Sequence, residues 1–322
     1  MRCLRGVWII VAFMAMSCGV HKELASRKAM EQGNCSETPP YSYSTRDLPV
    51  PLHELKPDTA LAKLFDRNSL QAANSIGVID QLADYIKLTR SIGQQASDHA
   101  RIERLELLQK IEHAINLSSL EISAVASEMD CEEERLSQIA NYLKRHEDEV
   151  ETKLTVTAIV VGAAGAITSA LLINRHEEDE KSDYIEITSG LVEASVGMMI
   201  LLNKQKVLLH HSRNALREIW EGRKTSTVFP RSVWYYLNYF DPSEQGQSPR
   251  YRIVDGWMNF GQIESATSAK KHRLIDLYFG EGGRYSAEQL YNRASMYDQL
   301  ESQIKLMKQD LTSLSLALQR IK

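Results

Sequence analysis

Residues 285–322 carry the most regular hydrophobic pattern of the chain. Apolar residues recur at alternating spacings of three and four, which is the heptad seam of a helix that buries one side. Ser286 and Gln289 form an S-x-x-Q capping box that predicts the start of this helix. The seam suits either an oligomeric coiled coil or packing against a helix of the same chain, and we favour the second. Its positions are Tyr297, Leu300, Ile304, Met307, Leu311, Leu314, Leu318 and Ile321.

A second helical pattern begins near Ser97, and neither proline nor glycine occurs from residue 94 to residue 161. A single helix reaching Ile173 would be more than about 100 Å long, since each residue adds ~1.5 Å. An amphipathic helix of this length must bury its apolar stripe on partner helices. The pattern therefore predicts a bundle of long helices or a coiled coil.

A shorter pattern follows Pro57, where Asp58 is placed to cap a helix and Gly93 to end the pattern. Together these patterns predict an all-α fold, an elongated bundle of long helices over residues 58–222. The C-terminal helix of residues 285–322 is expected to pack on this bundle.

The bundle contains an apolar hairpin at residues 154–202. Residues 154–173 are 20 residues without a charge, which is the length of a membrane-spanning helix. Residues 187–202 form a return segment that contains Glu193, and the loop between the two segments, residues 174–182, is strongly acidic. Small residues allow close contact between helices or define a surface for lipid. They are Ala158, Gly162, Ala166, Ala170, Gly190, Ala194 and Gly197.

Three interpretations of this hairpin stay open. It is the tip of a soluble bundle, or a hairpin that enters a membrane after a trigger, or a constitutive membrane hairpin. The acidic loop would have to cross the bilayer in the second and third cases, which is costly, so we favour the first. In layout, residues 97–222 resemble the α-helical pore-forming toxins of the cytolysin A type, which implies a membrane-active alternative.

The N-terminus has the pattern of a secretory signal. Arg2 and Arg5 precede an apolar run at residues 7–16, which is too short to span a bilayer. Small residues then lead to Cys18, and residues 15–19 resemble the lipobox of bacterial lipoproteins, with alanine in place of the usual leucine. This resemblance implies a signal peptide at residues 1–17 and a Cys18 that carries diacylglycerol and an acyl chain such as palmitate. Cleavage without lipidation and an uncleaved anchor are the alternatives.

Residues 18–57 are rich in proline, serine and threonine, which predicts an extended tether. An envelope compartment permits disulfides, so Cys35 and Cys131 are expected to form one, although Cys131 could also be a free thiol. Such a bridge would close a loop of nearly 100 residues.

Residues 223–284 are expected to form a small aromatic-rich cap, because residues 229–291 hold 13 of the 23 aromatic residues. Aromatic clusters occur at membrane interfaces and ligand surfaces. They also form the core of a small cap between long helices, which is the interpretation that we favour.

Composition and motifs argue against several classes of function. The formal net charge is −4, and removal of the signal would make it −6, which disfavours a nucleic-acid partner. His210 and His211 are adjacent and make a poor metal pair, and Cys131 lies beside acidic residues that would raise its thiol pKa. We therefore expect no enzyme, cofactor or metal site. The expected function is that of a membrane-anchored envelope lipoprotein, a helical scaffold or interaction protein with a protein partner.

Overall fold

A computed structural model describes residues 35–36, 39–55, 59–91, 97–173, 194–200, 204–242, 247–259, 262–263 and 268–321, without the side chains of 165, 168–173 and 268. Residues 39–322 form one compact unit. The fold is mostly helical, as predicted, with one very long helix and a small two-stranded sheet. A short 3-10 turn at Thr45–Asp47 precedes helices α1 (Leu52–Leu55), α2 (Thr59–Leu64), α3 (Arg67–Ser75), α4 (Ile79–Ser91) and α5 (Asp98–Ile173). Strand β1 (Val207–His210), helices α6 (Ala215–Glu221), α7 (Arg231–Asn238), α8 (Pro249–Asn259) and α9 (Ser268–Phe279), strand β2 (Gly282–Tyr285) and helix α10 (Ala287–Gln319) follow.

Helix α5 is a single helix of 76 residues, and α10 packs along it. Tyr291 donates a hydrogen bond to Asn141 (2.8 Å), and Lys308 donates one to Ser123 (2.9 Å). The residue number on α5 falls as that on α10 rises, so the two helices are antiparallel. Every predicted seam position from 297 to 318 is buried. The predicted packing of the C-terminal helix within the chain is therefore confirmed.

Helix α10 begins at the predicted capping box. The Ser286 side chain accepts from the backbone N–H of Gln289 (3.3 Å), and the Gln289 side chain accepts from the backbone N–H of Ser286 (2.9 Å). Two N–H groups that the first helical turn leaves without partners are thereby satisfied.

The pattern predicted as one helix after Pro57 forms three helices, α2, α3 and α4. Asp66 starts α3, because its carboxylate accepts a hydrogen bond from the backbone N–H of Ser69 (2.8 Å). Gly77, between α3 and α4, has a φ of 77°, a left-handed conformation that few residues other than glycine adopt. These two residues divide a pattern whose apolar spacing alone appeared continuous.

Residues 204–222 also differ from the helical prediction. Strand β1 pairs antiparallel with β2, with Val207 opposite Tyr285 and His210 opposite Gly282. Burial alternates along β1, so Val207 and Leu209 face the core. Strand β1, with its alternating burial, pairs with the strand that follows α9. The paired residues are 70 or more positions apart in the chain.

Gly282 is required by this sheet. Its φ is 97°, and a Cβ atom at this position would overlap the backbone carbonyl oxygen of Leu209. Gly282→Ala is expected to lower the free energy of unfolding by about 1–3 kcal/mol. The alanine would hold a strained φ, and its Cβ would clash with the Leu209 carbonyl oxygen unless the backbone shifts. Urea unfolding measures this difference. Gly197→Ala is the control, since Gly197 has open space around the added Cβ among the described residues, and an equal loss in both variants would contradict the prediction.

Part of the segment predicted as a tether is packed on the body. The Tyr41 backbone N–H donates to the Thr227 carbonyl (2.9 Å). The Tyr43 hydroxyl donates to the Phe229 carbonyl (3.2 Å) and accepts from the Ser226 N–H (3.1 Å). Burial raises the pKa of Tyr43 to about 12. Residues 41–43 are therefore fixed by contacts that lie more than 180 residues away in sequence.

Several aromatic residues in and beside the predicted cap form a core. The rings of Trp220 and Phe279 stack with centroids 4.4 Å apart, and Phe229 stacks on Trp234 at 5.5 Å. Trp234, Phe279 and Phe229 are buried, as is Trp257. Their burial favours the core interpretation over an exposed ligand surface.

Cys35 and Cys131 are both disulfide-bonded. This agrees with the disulfide predicted for these two cysteines and excludes a free thiol at Cys131. Cys131 lies within α5.

Candidate interaction surface

Helix α5 continues well beyond the part of it that packs on α4 and α10. Leu143 is buried, but none of residues 144–164, 166 and 167 is buried. Near the base of this distal part, the Gln205 N–H donates to the Glu147 carboxylate (2.9 Å). The distal part of α5 is thus helical without being part of the core.

Among the described side chains of the distal part, four large apolar ones are exposed, and we call them the distal surface. They are Val156 (54% exposed), Ile159 (65%), Val160 (61%) and Ile167 (63%). At about 100° per residue, these four positions lie within an arc of about 100° on one side of the helix. On residues 194–200, which are also helical, Met198 and Met199 are exposed as well.

The small residues predicted for the hairpin occupy two kinds of position. Ala158 and Gly162 are half-buried, whereas Ala166, Ala194 and Gly197 are exposed. Ala170 is helical, but its side chain is outside the described part, and Gly190 and Glu193 lie outside the described residues altogether. Cys18 and the signal segment are outside it too. The structure therefore places the exposed apolar surface on larger residues than those that the sequence singled out.

Among the described residues, no helix is both long and apolar enough to cross a membrane. No group of three or more His, Cys, Asp and Glu side chains is arranged there to hold a metal ion.

A buried polar cluster lies where the sheet meets α10. The Arg293 guanidinium is 1% exposed and donates to the Tyr278 carbonyl, to Asn214 Oδ1 (3.1 Å) and to the Tyr297 hydroxyl (3.3 Å). Its carbon lies 5.4 Å from the centroid of the Tyr297 ring. These partners are neutral oxygen atoms and a π face, which stabilise a buried cation when its water is removed. The cluster joins α6, α9 and α10.

His211 and Tyr285 extend the same cluster. His211 Nε2 is 2.8 Å from the Tyr285 hydroxyl, and this hydroxyl donates its hydrogen to the Leu277 carbonyl. Burial, together with the nearby cations Arg293 and Arg135, lowers the pKa of His211 to about 2. Burial also raises the pKa of Tyr285, and raises that of Tyr297 to about 12. His211 is thus neutral and enclosed, which suits a structural role better than contact with a substrate.

Stability is expected to fall with acid because of His211. The folded state keeps this ring neutral, whereas the unfolded chain protonates it below its ordinary pKa of 6.5. The unfolded state therefore binds more protons below pH 6.5, and the free energy of unfolding drops by up to about 1.4 kcal/mol per pH unit. Between pH 7 and pH 5 the contribution is about 2 kcal/mol.

Urea unfolding of the wild type and of His211→Gln at both pH values isolates this contribution. We expect the loss of stability between pH 7 and pH 5 to be about 2 kcal/mol smaller in the variant. The same loss in both proteins would show that His211 is protonated in the folded state or is not buried.

A scan against protein-family models and searches of curated proteins and of solved structures find no match to this chain. The function must therefore be argued from the surface and the cluster themselves.

The sequence indicates the segment that carries the distal surface, but not the residues that form it. Residues 154–173 are uncharged, and their small residues favour close packing between helices. The exposed face is defined by Val156, Ile159, Val160 and Ile167, whose spacing of 3, 1 and 7 follows the helical period. Only the end of packing after Leu143 distinguishes this face from a core face.

Proposed function

We propose that this chain is a lipid-anchored protein of the bacterial cell envelope, and that its helical body acts by binding rather than by catalysis. The observation that carries the proposal is the distal surface, where four large apolar side chains are more than half exposed. Exposed apolar patches of this kind mark interaction sites, because leaving them in water is unfavourable.

The attachment to a membrane is supported by the N-terminal sequence. A basic start, an apolar run and the small residues before Cys18 are what export and lipidation require. Because one acyl chain gives only marginal binding, the two or more chains of a lipoprotein cysteine would make a stable anchor.

The burial of the perturbed groups favours binding over catalysis. His211 and Tyr285, whose pKa values are strongly shifted by burial, touch one another and are both buried in the cluster beside α10. Their polar atoms are satisfied by Leu277 and by each other. These contacts account for them as elements of the core.

Photo-crosslinking in the native bacterium tests the binding role. A diazirine amino acid at position 159 is expected to give a defined adduct, with either a lipid or one protein. The same amino acid at position 120 is the matched control, because Leu120 is also exposed (68%) and also lies on α5. Equal adducts at the two positions, or none at position 159, would contradict a specific role for the distal surface.

A further inference from the structure

The occupant of the distal surface can be argued from the charge around the helix. A helix that docks into a protein groove covers one face and keeps charged residues on the face that stays in water. Residues 154–173 carry no charge on any face. The positions next to the distal surface, among them Thr155, Ala163 and Ala166, are exposed and uncharged. The open side of such a segment suits an apolar medium rather than a groove.

The two sides of the distal segment differ in exposure. Leu154, Thr157, Ala158 and Val161 are half-buried, and by the helical period they lie opposite the distal surface. One apolar side is thus already partly covered, and the other is open. A lipid surface needs only the open side, since interfacial helices bury one face to a depth of about 5–10 Å.

The orientation is argued from the charges that follow α5 in the sequence. Residues 174–182 include Glu177, Glu178, Asp179 and Glu180. A helix that crossed the bilayer with this end leading would carry these carboxylates through the hydrocarbon, which is costly. A helix that lies on its side does not require this.

Lysines border the uncharged segment. Lys153 is the last charged residue before it, and Lys204 and Lys206 follow the return segment; all three are exposed. Long lysine stems allow the ammonium groups to reach lipid phosphates while apolar neighbours sit deeper.

We propose that the distal surface binds a lipid bilayer side-on, in the plane of the interface. This inference rests on the proposed function, because it names the partner of the surface that the proposed function uses. It differs from the pore-forming interpretation, since the hairpin does not cross the membrane.

Vesicle binding tests the choice of partner. The mature chain with Cys18→Ser, which carries no acyl chain, is mixed with vesicles of phosphatidylethanolamine and phosphatidylglycerol (3:1). We expect sedimentation with the vesicles, and we expect Ile159→Asp to weaken the partition coefficient about tenfold or more, because the side chain changes from apolar to charged.

Leu120→Asp is the matched control for this experiment. It makes the same change at an equally exposed site on α5, and its partition coefficient is expected to equal that of the parent. Urea unfolding checks that neither variant is unfolded. Failure of the parent to bind the vesicles, or equal weakening by both substitutions, would overturn the proposal.

Fluorescence quenching tests the orientation. A probe on Val160→Cys is expected to be quenched by a nitroxide on the lipid chains, and a probe on Glu178→Cys by iodide outside the vesicles. Protection of the second probe from external iodide would show that the loop enters or crosses the bilayer, and would overturn side-on binding.

The two proposals fail in different ways. A protein adduct alone at position 159, with no vesicle binding, would leave the binding role intact and refute the lipid partner. The absence of both a crosslink and vesicle binding would refute the binding role as well.

Discussion

Leu314→Ala is expected to lower the free energy of unfolding by about 2–5 kcal/mol, because it removes buried methyl groups and leaves a cavity in the seam between α10 and its neighbours. Leu314 is a fully buried residue of the seam, and α10 packs on both α5 and α3. The surrounding side chains come from several helices, so they can collapse into the space only in part. Urea unfolding followed by circular dichroism measures the loss.

Leu316→Ala provides a close control for this prediction. The two leucines are two positions apart on α10, but Leu316 is 49% exposed. The same substitution there is expected to change the free energy of unfolding by less than about 0.5 kcal/mol. If Leu314→Ala were equally mild, α10 would not be packed within the chain as described.

Arg293→Ala is expected to lower the free energy of unfolding by about 3–5 kcal/mol. It opens a cavity and leaves the Tyr278 carbonyl and Asn214 Oδ1 without the guanidinium that donates to them. Because these acceptors are buried, water does not replace the lost hydrogen bonds freely. The unfolding free energy of the purified variant measures the combined effect.

Arg293→Met separates the two parts of this loss. Methionine keeps most of the volume and removes the hydrogen bonds, so we expect an intermediate loss of about 1–3 kcal/mol. Part of the desolvation cost of the buried cation is also relieved in this variant. A methionine variant as stable as the wild type would show that the buried hydrogen bonds contribute nothing net.

The sequence predicted those parts of the fold that depend on local periodicity. The seam from Tyr297 to Leu318 is buried as its spacing requires, and the capping box at Ser286 forms. The long helix follows from the absence of proline and glycine over residues 94–161. In each case, neighbouring residues determine the result, so the signal can be read from one stretch of chain.

Parts of the fold that depend on distant contacts were not predicted. The pairing of β1 with β2 places Val207 opposite Tyr285. The position of residues 41–43 depends on hydrogen bonds between Tyr43 and the backbone of Ser226 and Phe229. A four-residue strand is too short to give a clear alternating signal among helical neighbours. Such elements are fixed by partners that local patterns do not identify.

The sequence indicated the segment that carries the candidate surface, but not which of its faces is exposed. All four residues of the distal surface lie in the uncharged run at residues 154–173. Whether Ile159 faces a core or solvent depends on where α10 and the rest of the body stop covering α5. That boundary is a property of tertiary packing, and a helical pattern is the same on either side of it.

Mass spectrometry of the mature N-terminus tests the central claim, that this protein acts as an exported helical body fixed to a membrane. The protein is purified from its native host with detergent, and its N-terminal peptide is compared with that of Cys18→Ala. The account predicts that the chain begins at Cys18 with diacylglycerol and an acyl group attached, and that the variant lacks this mass. A wild-type chain that retains residues 1–17, or an unmodified Cys18, would contradict it.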